Sequence, residues 1–249
     1  MIDLHSHLLH GLDDGARDLD QALAMARSMV EDGVRVVAAT PHVHPRYRTP
    51  VGEMERALGE LRSALVAAGI PLEVLPGGEI ALDELPGLSA DERVRFGLGG
   101  NPRLLLLEFP LHGWPLALES TVSELGREGV RCVLAHPERN PEVQEQPERL
   151  ERLVAVGAVP QLTAAALDGR LGEKQQRCAL ALLDRELASL IASDAHAPDV
   201  RAAGLSAACD AVGDEAFGRW LTEDVPAALL AGAALPARPL RRKQRLFGR

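Results

Sequence analysis

Two short runs at opposite ends of the chain carry residues of the kind that bind metal ions. His5 and His7 alternate in Leu4-His5-Ser6-His7, and Asp194 and His196 alternate in Ser193-Asp194-Ala195-His196, each just past an apolar stretch. Other apolar stretches deliver residues of the same chemistry at their carboxyl ends. These are His42 in Thr40-Pro41-His42, Glu79 in Gly77-Gly78-Glu79, Glu108 in Leu107-Glu108-Phe109 and His136 in Ala135-His136-Pro137. A lone strand-end histidine is usually a hydrogen-bonded core residue, and a lone glutamate usually finds an arginine. A whole set at strand ends reads instead as a site assembled from both ends of the chain, where barrel enzymes hold their chemistry.

Glu108 follows four consecutive leucines, and an unpaired carboxylate buried there is costly unless a cation sits beside it. Imidazole and carboxylate without thiolate suit Mn, Fe or Zn better than Mg or Ca. A carboxylate bridging two metals beside an open coordination position would let water become hydroxide near neutral pH. The charge of about three divalent ions would exceed that of Asp14, Glu79, Glu108 and Asp194 by about two units, which suits a phosphate dianion. Arg139, shortly after His136, and Arg201, shortly after His196, could clamp phosphate oxygens with their guanidinium forks. Arg46 and Arg48, around Tyr47, are weaker candidates for the same mouth. His10, His44 and His112 fall in turns beyond the strand ends and read as surface or substrate-contact residues.

The elements that must position these residues follow a repeating grammar of helix, glycine, strand. Asp18 and Gln21 resemble a capping box before a helix with Leu19, Ala22, Leu23, Ala26, Met29 and Val30 on one face, and Gly33 ends it. The same sequence of signals recurs at Gly69, Gly129 and Gly157. Strands are expected near Ile2 to His5, Val34 to Thr40, Leu72 to Leu75, Leu104 to Phe109, Val130 to Ala135, Ala158 to Leu162 and Ser189 to Ser193. Thr49 and Pro50 suit an N-cap and first turn, and Pro115 suits the opening of a helix carrying Leu118, Val122 and Leu125. About seven strands alternating with helices indicate an α/β protein, a closed or nearly closed barrel in preference to an open sheet. The segment from Leu85 to Asn101 reads as a long surface connection or a lid.

A chain of 249 residues with 46% hydrophobic content can bury one large core. No apolar run approaches the roughly 20 residues that span a bilayer, and no signal pattern follows Met1, so a cytoplasmic protein not integral to a membrane is expected. Cys132, Cys178 and Cys209 are too few and scattered for a disulfide framework. The net charge of -9 disfavours nucleic acid as a partner. Five of the last nine residues are nevertheless basic, which divides the chain into a domain over 1–235 and a basic tail over 236–249.

Taken together, His5-Ser6-His7, Gly11-Leu12-Asp13-Asp14-Gly15-Ala16, Ala39-Thr40-Pro41-His42, Gly78-Glu79-Ile80, Glu108-Phe109-Pro110, Ala135-His136-Pro137-Glu138-Arg139-Asn140 and Ser193-Asp194-Ala195-His196 resemble a known family. It is that of the bacterial metal-dependent protein-tyrosine phosphatases of capsule and exopolysaccharide operons, within the polymerase and histidinol phosphatase (PHP) superfamily. The resemblance implies a distorted (β/α)7 barrel of the PHP type holding three divalent metal ions, usually manganese. It further implies one ion on His5, His7, Glu79 and Asp194, a second on Glu79, Glu108 and His136, and a third on Asp14, His42 and His196. Glu79 would bridge the first two. Asp14 stands where many relatives outside this branch have a histidine. Arg139 and Arg201 match positions expected to bind phosphate. The implied partner is a phosphotyrosine protein, a membrane-associated bacterial tyrosine autokinase that controls polysaccharide synthesis. His10 departs from the proline common in the motif, and Pro45-Arg46 interrupts a stretch that is commonly richer in histidine.

The expected reaction is hydrolysis of phosphotyrosine by direct in-line attack of metal-bound hydroxide, with ions and arginines stabilising the transferring phosphoryl group and Asp14 or a bound water protonating the leaving group. Six residues separate Cys132 from Arg139, where a cysteine-phosphatase loop uses five, so a thiol route is opposed. The alternatives are a small-molecule phosphatase of the histidinol-phosphate type and a metal-stabilised scaffold that binds a phosphoprotein without turnover.

Overall fold

The computed structural model describes residues 1–198 and 202–240. Among these residues ten strands run in chain order: β1 (Ile2–Ser6), β2 (Val36–Ala39), β3 (His42–His44), β4 (Tyr47–Arg48), β5 (Glu73–Leu75), β6 (Glu79–Ala81), β7 (Leu104–Glu108), β8 (Arg131–Ala135), β9 (Val159–Thr163) and β10 (Leu190–Ala192). They form a three-stranded sheet in the order β1-β2-β5 and a seven-stranded sheet in the order β10-β9-β8-β7-β6-β3-β4, parallel throughout except for the short β3–β4 hairpin. The result is a mixed α/β fold with helices between most strands.

The two sheets are continuous with each other. β2 runs on into β3 past Thr40-Pro41, and β5 runs on into β6 past Pro76-Gly77-Gly78. At the other margin β1 lies beside the end of β10, where Asp194 N donates to His5 O at 2.9 Å and His7 N donates to Ala195 O at 2.8 Å. The register of β1 against β2 shifts between Asp3 and Ser6. Asp3 helps to close the β1–β10 seam, since its Oδ1 accepts from Ser193 N at 2.9 Å and His5 N at 3.2 Å.

The expected strands fall within a residue or two of those observed. Leu104 to Leu107 are buried on both faces, as the central strand of a parallel sheet covered by helices requires. Two further strands, β3 and β4, form a hairpin that the broad apolar pattern did not separate, and Glu79 opens its own strand instead of ending the one before it. The helix Leu19–Glu31 buries Ala22, Met25, Ala26 and Met29. Asp18 caps it through Gln21 N at 2.8 Å, but Gln21 Oε1 turns to Arg17 N, so the box is one-sided. Gly33, Gly69, Gly129 and Gly157 all have positive φ, which explains their recurrence at the turns that follow helices.

Thr49 does not cap the next helix, Val51–Ala67. Its hydroxyl donates to His42 O at 2.8 Å, and Pro50 holds the cap position. The helix expected at Pro115 begins three residues later, as Leu118–Arg127. In the 85–101 segment Leu85, Phe96 and Leu98 are buried, and a short helix over Ala90–Arg95 opens on a capping box between Ser89 and Glu92. Within the segment assigned to the tail, Arg238 stacks over Phe217 and donates to Ala188 O and Leu183 O at 2.9 and 2.7 Å. The cluster of basic residues over 241–249 lies outside the described residues.

Candidate metal centre

Strand ends at one rim of the sheets bring the expected ligands together. At the end of β1, His5 Nδ1 lies 2.9 Å from Gln161 Oε1 on β9, and His7 Nδ1 lies 2.7 Å from Asp13 Oδ2. With those ring atoms engaged, the two Nε2 atoms face inward, 3.3 Å apart. Glu79 Oε2 is 3.4 Å from both, and Asp194 Oδ1 is 3.5 Å from His5 and 3.4 Å from His7. His5, His7 and Glu79 thus bring three ligand atoms close enough to share an ion, and Asp194 Oδ1 lies against both histidines.

A second group lies beside it. Asp14 Oδ1 is 3.5 Å from His42 Nε2 and 3.4 Å from His196 Nε2, and His7 completes a set close enough to share an ion. The His7 and His196 rings stack at 3.8 Å. The third group joins Glu79 and Glu108 through His42, whose Nδ1 is 2.9 Å from Glu79 Oε2 and 3.9 Å from Glu108 Oε2. His136 approaches the same Glu79 from the other side, with Nε2 2.8 Å from Oε1. His42 therefore belongs to two groups, one through each ring nitrogen.

His136 (φ 40) and Asp194 (φ 52) both sit in the left-handed region. For residues with a Cβ such a conformation costs of order 1–3 kcal/mol and clusters at functional sites. Here both turn a ligand sharply off the end of a strand. Gly15 is needed for space instead: a Cβ there would collide with the carbonyl and Cβ of His7.

The electrostatics suit cations. Burial opposes ionisation of Glu79, but the charge of His5 and the hydrogen bond from His136, with His42 close beside it, outweigh it and hold the carboxyl well below the usual range. Burial equally opposes protonation of His5, His7 and His42, yet the surrounding carboxylates raise all three, His42 to about 9. Burial and the charge of Glu79 push Glu108 up to about 7. Hydrogen bonds from His196 and His42 lower Asp14. Buried Glu79 Oε2 has three imidazole nitrogens within 3.4 Å, yet none makes a correctly directed hydrogen bond, and buried Glu108 Oε2 accepts none either. Short contacts without hydrogen-bond direction are what carboxylates arranged for a cation show, so the donor set fits metal ions.

The cluster floors a cavity of about 710 Å³. Arg139 lines it and donates to Asp194 Oδ2 at 2.8 Å. His44, Arg46, Tyr47 and His112 line it as well. His10 lies elsewhere, 3.3 Å from Glu60, and Arg48 is exposed outside the lining. Arg201 lies outside the described residues. Four supporting residues carried no assigned role in the sequence: Asp13, Gln161, Glu138 and Asn140. Asp13 Oδ2 also accepts from His42 N at 2.9 Å, and buried Glu138 accepts from Thr163 N at 2.9 Å, tying the His136 turn to β9. Asp13-Asp14-Gly15 and Pro137-Glu138-Arg139-Asn140 were the signals that could have marked three of them.

A model of the family described as "Capsular polysaccharide synthesis, CpsB/CapC" matches residues 1–226. The tyrosine-protein phosphatase YwqE of Bacillus subtilis (strain 168) is 36% identical over 197 residues, 79% of this chain and 77% of that protein. The putative tyrosine-protein phosphatase CapC of Staphylococcus aureus is 31% identical, over 79% of this chain and 77% of its own length. The tyrosine-protein phosphatase CpsB of Streptococcus pneumoniae is 26% identical over 85% of this chain and 89% of that one. A solved structure from the pair YwqE of Bacillus subtilis and CpsB of Streptococcus pneumoniae, described as unique metal-dependent tyrosine phosphatases, superposes with a TM-score of 0.86 at 33% identity. It covers 97% of this chain and 100% of that one.

Proposed function

The chain belongs to the CpsB/CapC family of capsular polysaccharide synthesis, and from that membership we infer that it is a metal-dependent tyrosine-protein phosphatase acting in the cavity above Glu79. The observation that carries this reading is the convergence of His5, His7 and Glu79, with Asp194 against both histidines and with His42, Asp14, His196, Glu108 and His136 around them. The fold is read as a distorted (β/α)7 barrel of the PHP type, supported by the path of strand pairing that leaves β1 through β2 and returns to it beside β10. Residues 1–235 form the phosphatase domain and 236–249 a basic tail. Among the described residues no helix is long and apolar enough to cross a membrane, and a cytoplasmic site of action accords with that.

His5, His7, Glu79 and Asp194 would hold one ion, Glu79, Glu108 and His136 a second, with His42 Nδ1 beside them, and Asp14, His42 and His196 a third. When bound, three divalent ions, manganese first with iron or zinc as alternatives, supply Lewis-acid charge for phosphate oxygens and an acidified water. Gln161 and Asp13 fix the outward ring nitrogens of His5 and His7, so the inward ones are aimed before any ligand arrives. Arg139 uses one N–H on Asp194, and its guanidinium has further donors to orient equatorial phosphate oxygens, with Arg201 in the same role. Asp14 is held ionised by His42 and His196, so its part is charge and orientation, and a phenolate leaves readily with little proton donation. Cys132 takes no part: it is buried, and burial alone pushes its thiol up to about 12.

The substrate is a phosphotyrosine protein, and the proposed partner is a membrane-associated tyrosine autokinase of polysaccharide synthesis. Phosphate release from a phosphotyrosine peptide and from histidinol phosphate, measured with Mn, Fe, Mg and Zn and with an EDTA control, tests the reading. Release from the peptide that EDTA abolishes is expected. Preference for histidinol phosphate, or tight peptide binding without release, would overturn it.

A further inference from the structure

The cavity has two kinds of lining. Candidate ligands Asp14, His42, Glu108, His136, Asp194 and His196 line it with Arg139, and so do the apolar residues Ala81, Leu82, Pro110, Leu111 and Leu118. Tyr47 lines it too, its ring nearly parallel to that of His42, 13° between planes and 5.5 Å between centroids. Both Tyr47 and the loop bearing Pro110 and Leu111 are tied down. Thr49 fastens the hairpin under Tyr47, its hydroxyl donating to His42 O at 2.8 Å and its backbone N–H to Tyr47 O at 2.9 Å.

The apolar wall is fastened by Asn140, which is fully buried directly after Arg139. Its Nδ2 donates to Pro110 O at 2.8 Å and to Gly113 O at 2.9 Å, while its Oδ1 accepts from Glu142 N at 2.8 Å. One amide therefore locks the loop bearing Pro110 and Leu111 to the turn bearing Arg139. Leu111 is nevertheless 40% exposed, an apolar side chain left standing at the edge of a polar site. Pre-formed apolar walls around a few placed polar groups are the usual build of a site that selects a ligand by shape.

We propose that Tyr47 and the wall of Leu82, Pro110 and Leu111 form a slot that grips the aromatic ring of the phosphate ester, making the site select aryl over alkyl phosphates. The inference rests on the phosphatase reading and adds the residues that choose the leaving group. A planar ring entering between them buries apolar surface that an alkyl chain of one carbon cannot, which is worth at least about tenfold in affinity.

The test is titration calorimetry of the manganese-loaded protein with phenylphosphonate and with methylphosphonate, two ligands that need no turnover. Wild type is expected to bind the phenyl ligand at least about tenfold more tightly, and Leu111→Ser and Tyr47→Ala are expected to bring the ratio below about threefold. Leu111 is not one of the candidate ligands and stands partly exposed, so its variant separates loss of the slot from loss of a metal ligand, and metal content is measured on each protein. Parity in wild type, including no detectable binding of either ligand, or a ratio unchanged in both variants overturns the slot. Phenyl phosphate turnover on the same preparations reports separately: no release with the tenfold preference intact would sink the phosphatase reading and leave the slot standing.

Discussion

Asp13 Oδ2 lies 2.7 Å from Nδ1 of His7 and at the same time takes the backbone N–H of His42 at 2.9 Å. One carboxylate thus fixes the aim of one candidate ligand while holding the strand segment that delivers another. Asp13→Asn is expected to weaken manganese binding by roughly 10–100-fold, the usual loss when the outer partner of a metal-bound histidine is removed. Calorimetric metal titration against wild type, with circular dichroism as the check on fold, measures it.

The metal-free protein is expected to lose stability as pH rises from neutral to about 9. His42 has its folded value raised to about 9, so the stability it adds is fully present below its unfolded value near 6.5 and is lost as pH rises through 9. Glu108, raised to about 7, has the same sign but an earlier window, its contribution being lost as pH rises from about 4.5 through 7, so His42 governs the fall above neutral pH. Manganese should reverse the trend, since ions bind the neutral imidazoles and displace their protons. Melting curves in EDTA and in manganese across pH 6 to 9 decide it; a flat EDTA series would refute this account.

Arg139→Ala is expected to lower kcat/KM for a phosphotyrosine peptide by about 10²–10³, the range seen when a placed charge donor is removed from a reacting group. Because Arg139 also holds Asp194 at 2.8 Å, a smaller loss of metal affinity should accompany it. Steady-state kinetics at saturating manganese separates the two effects.

Gly15→Ala should abolish high-affinity metal binding, because the added Cβ runs into the backbone and Cβ of His7 and forces that ligand away. The helices and most of the core are remote from this turn, so the far-ultraviolet circular dichroism should change little. Retention of wild-type metal affinity would contradict the packing described.

Cys132→Ser should keep wild-type specific activity, whereas EDTA should abolish it. The thiol is buried and pushed up to about 12, so almost none is thiolate at neutral pH. Resistance of wild-type turnover to iodoacetamide checks the same point without a substitution.

Much of this could be read along the chain. Glu108 after four leucines, His136 after Val133-Leu134-Ala135 and the recurring glycines gave the strands, their burial and the end at which chemistry collects, because strand burial and helix termination are local properties of neighbouring residues. The hairpin over His42–Arg48 was less legible, since a strand of two residues leaves no period to detect.

The residue types of the candidate ligands, their places at strand ends and the spacing that opposes a cysteine route can be read from the order of amino acids. Which ligands share a point cannot. That His5 meets Gln161 across a separation of 156 positions, that His42 faces Asp14 through one nitrogen and two glutamates through the other, and that Asn140 ties Arg139 to Leu111's loop all depend on strand register and side-chain rotamer. A shift of one residue in register would turn those side chains to the other face of the sheet, so only the packed tertiary structure could decide them.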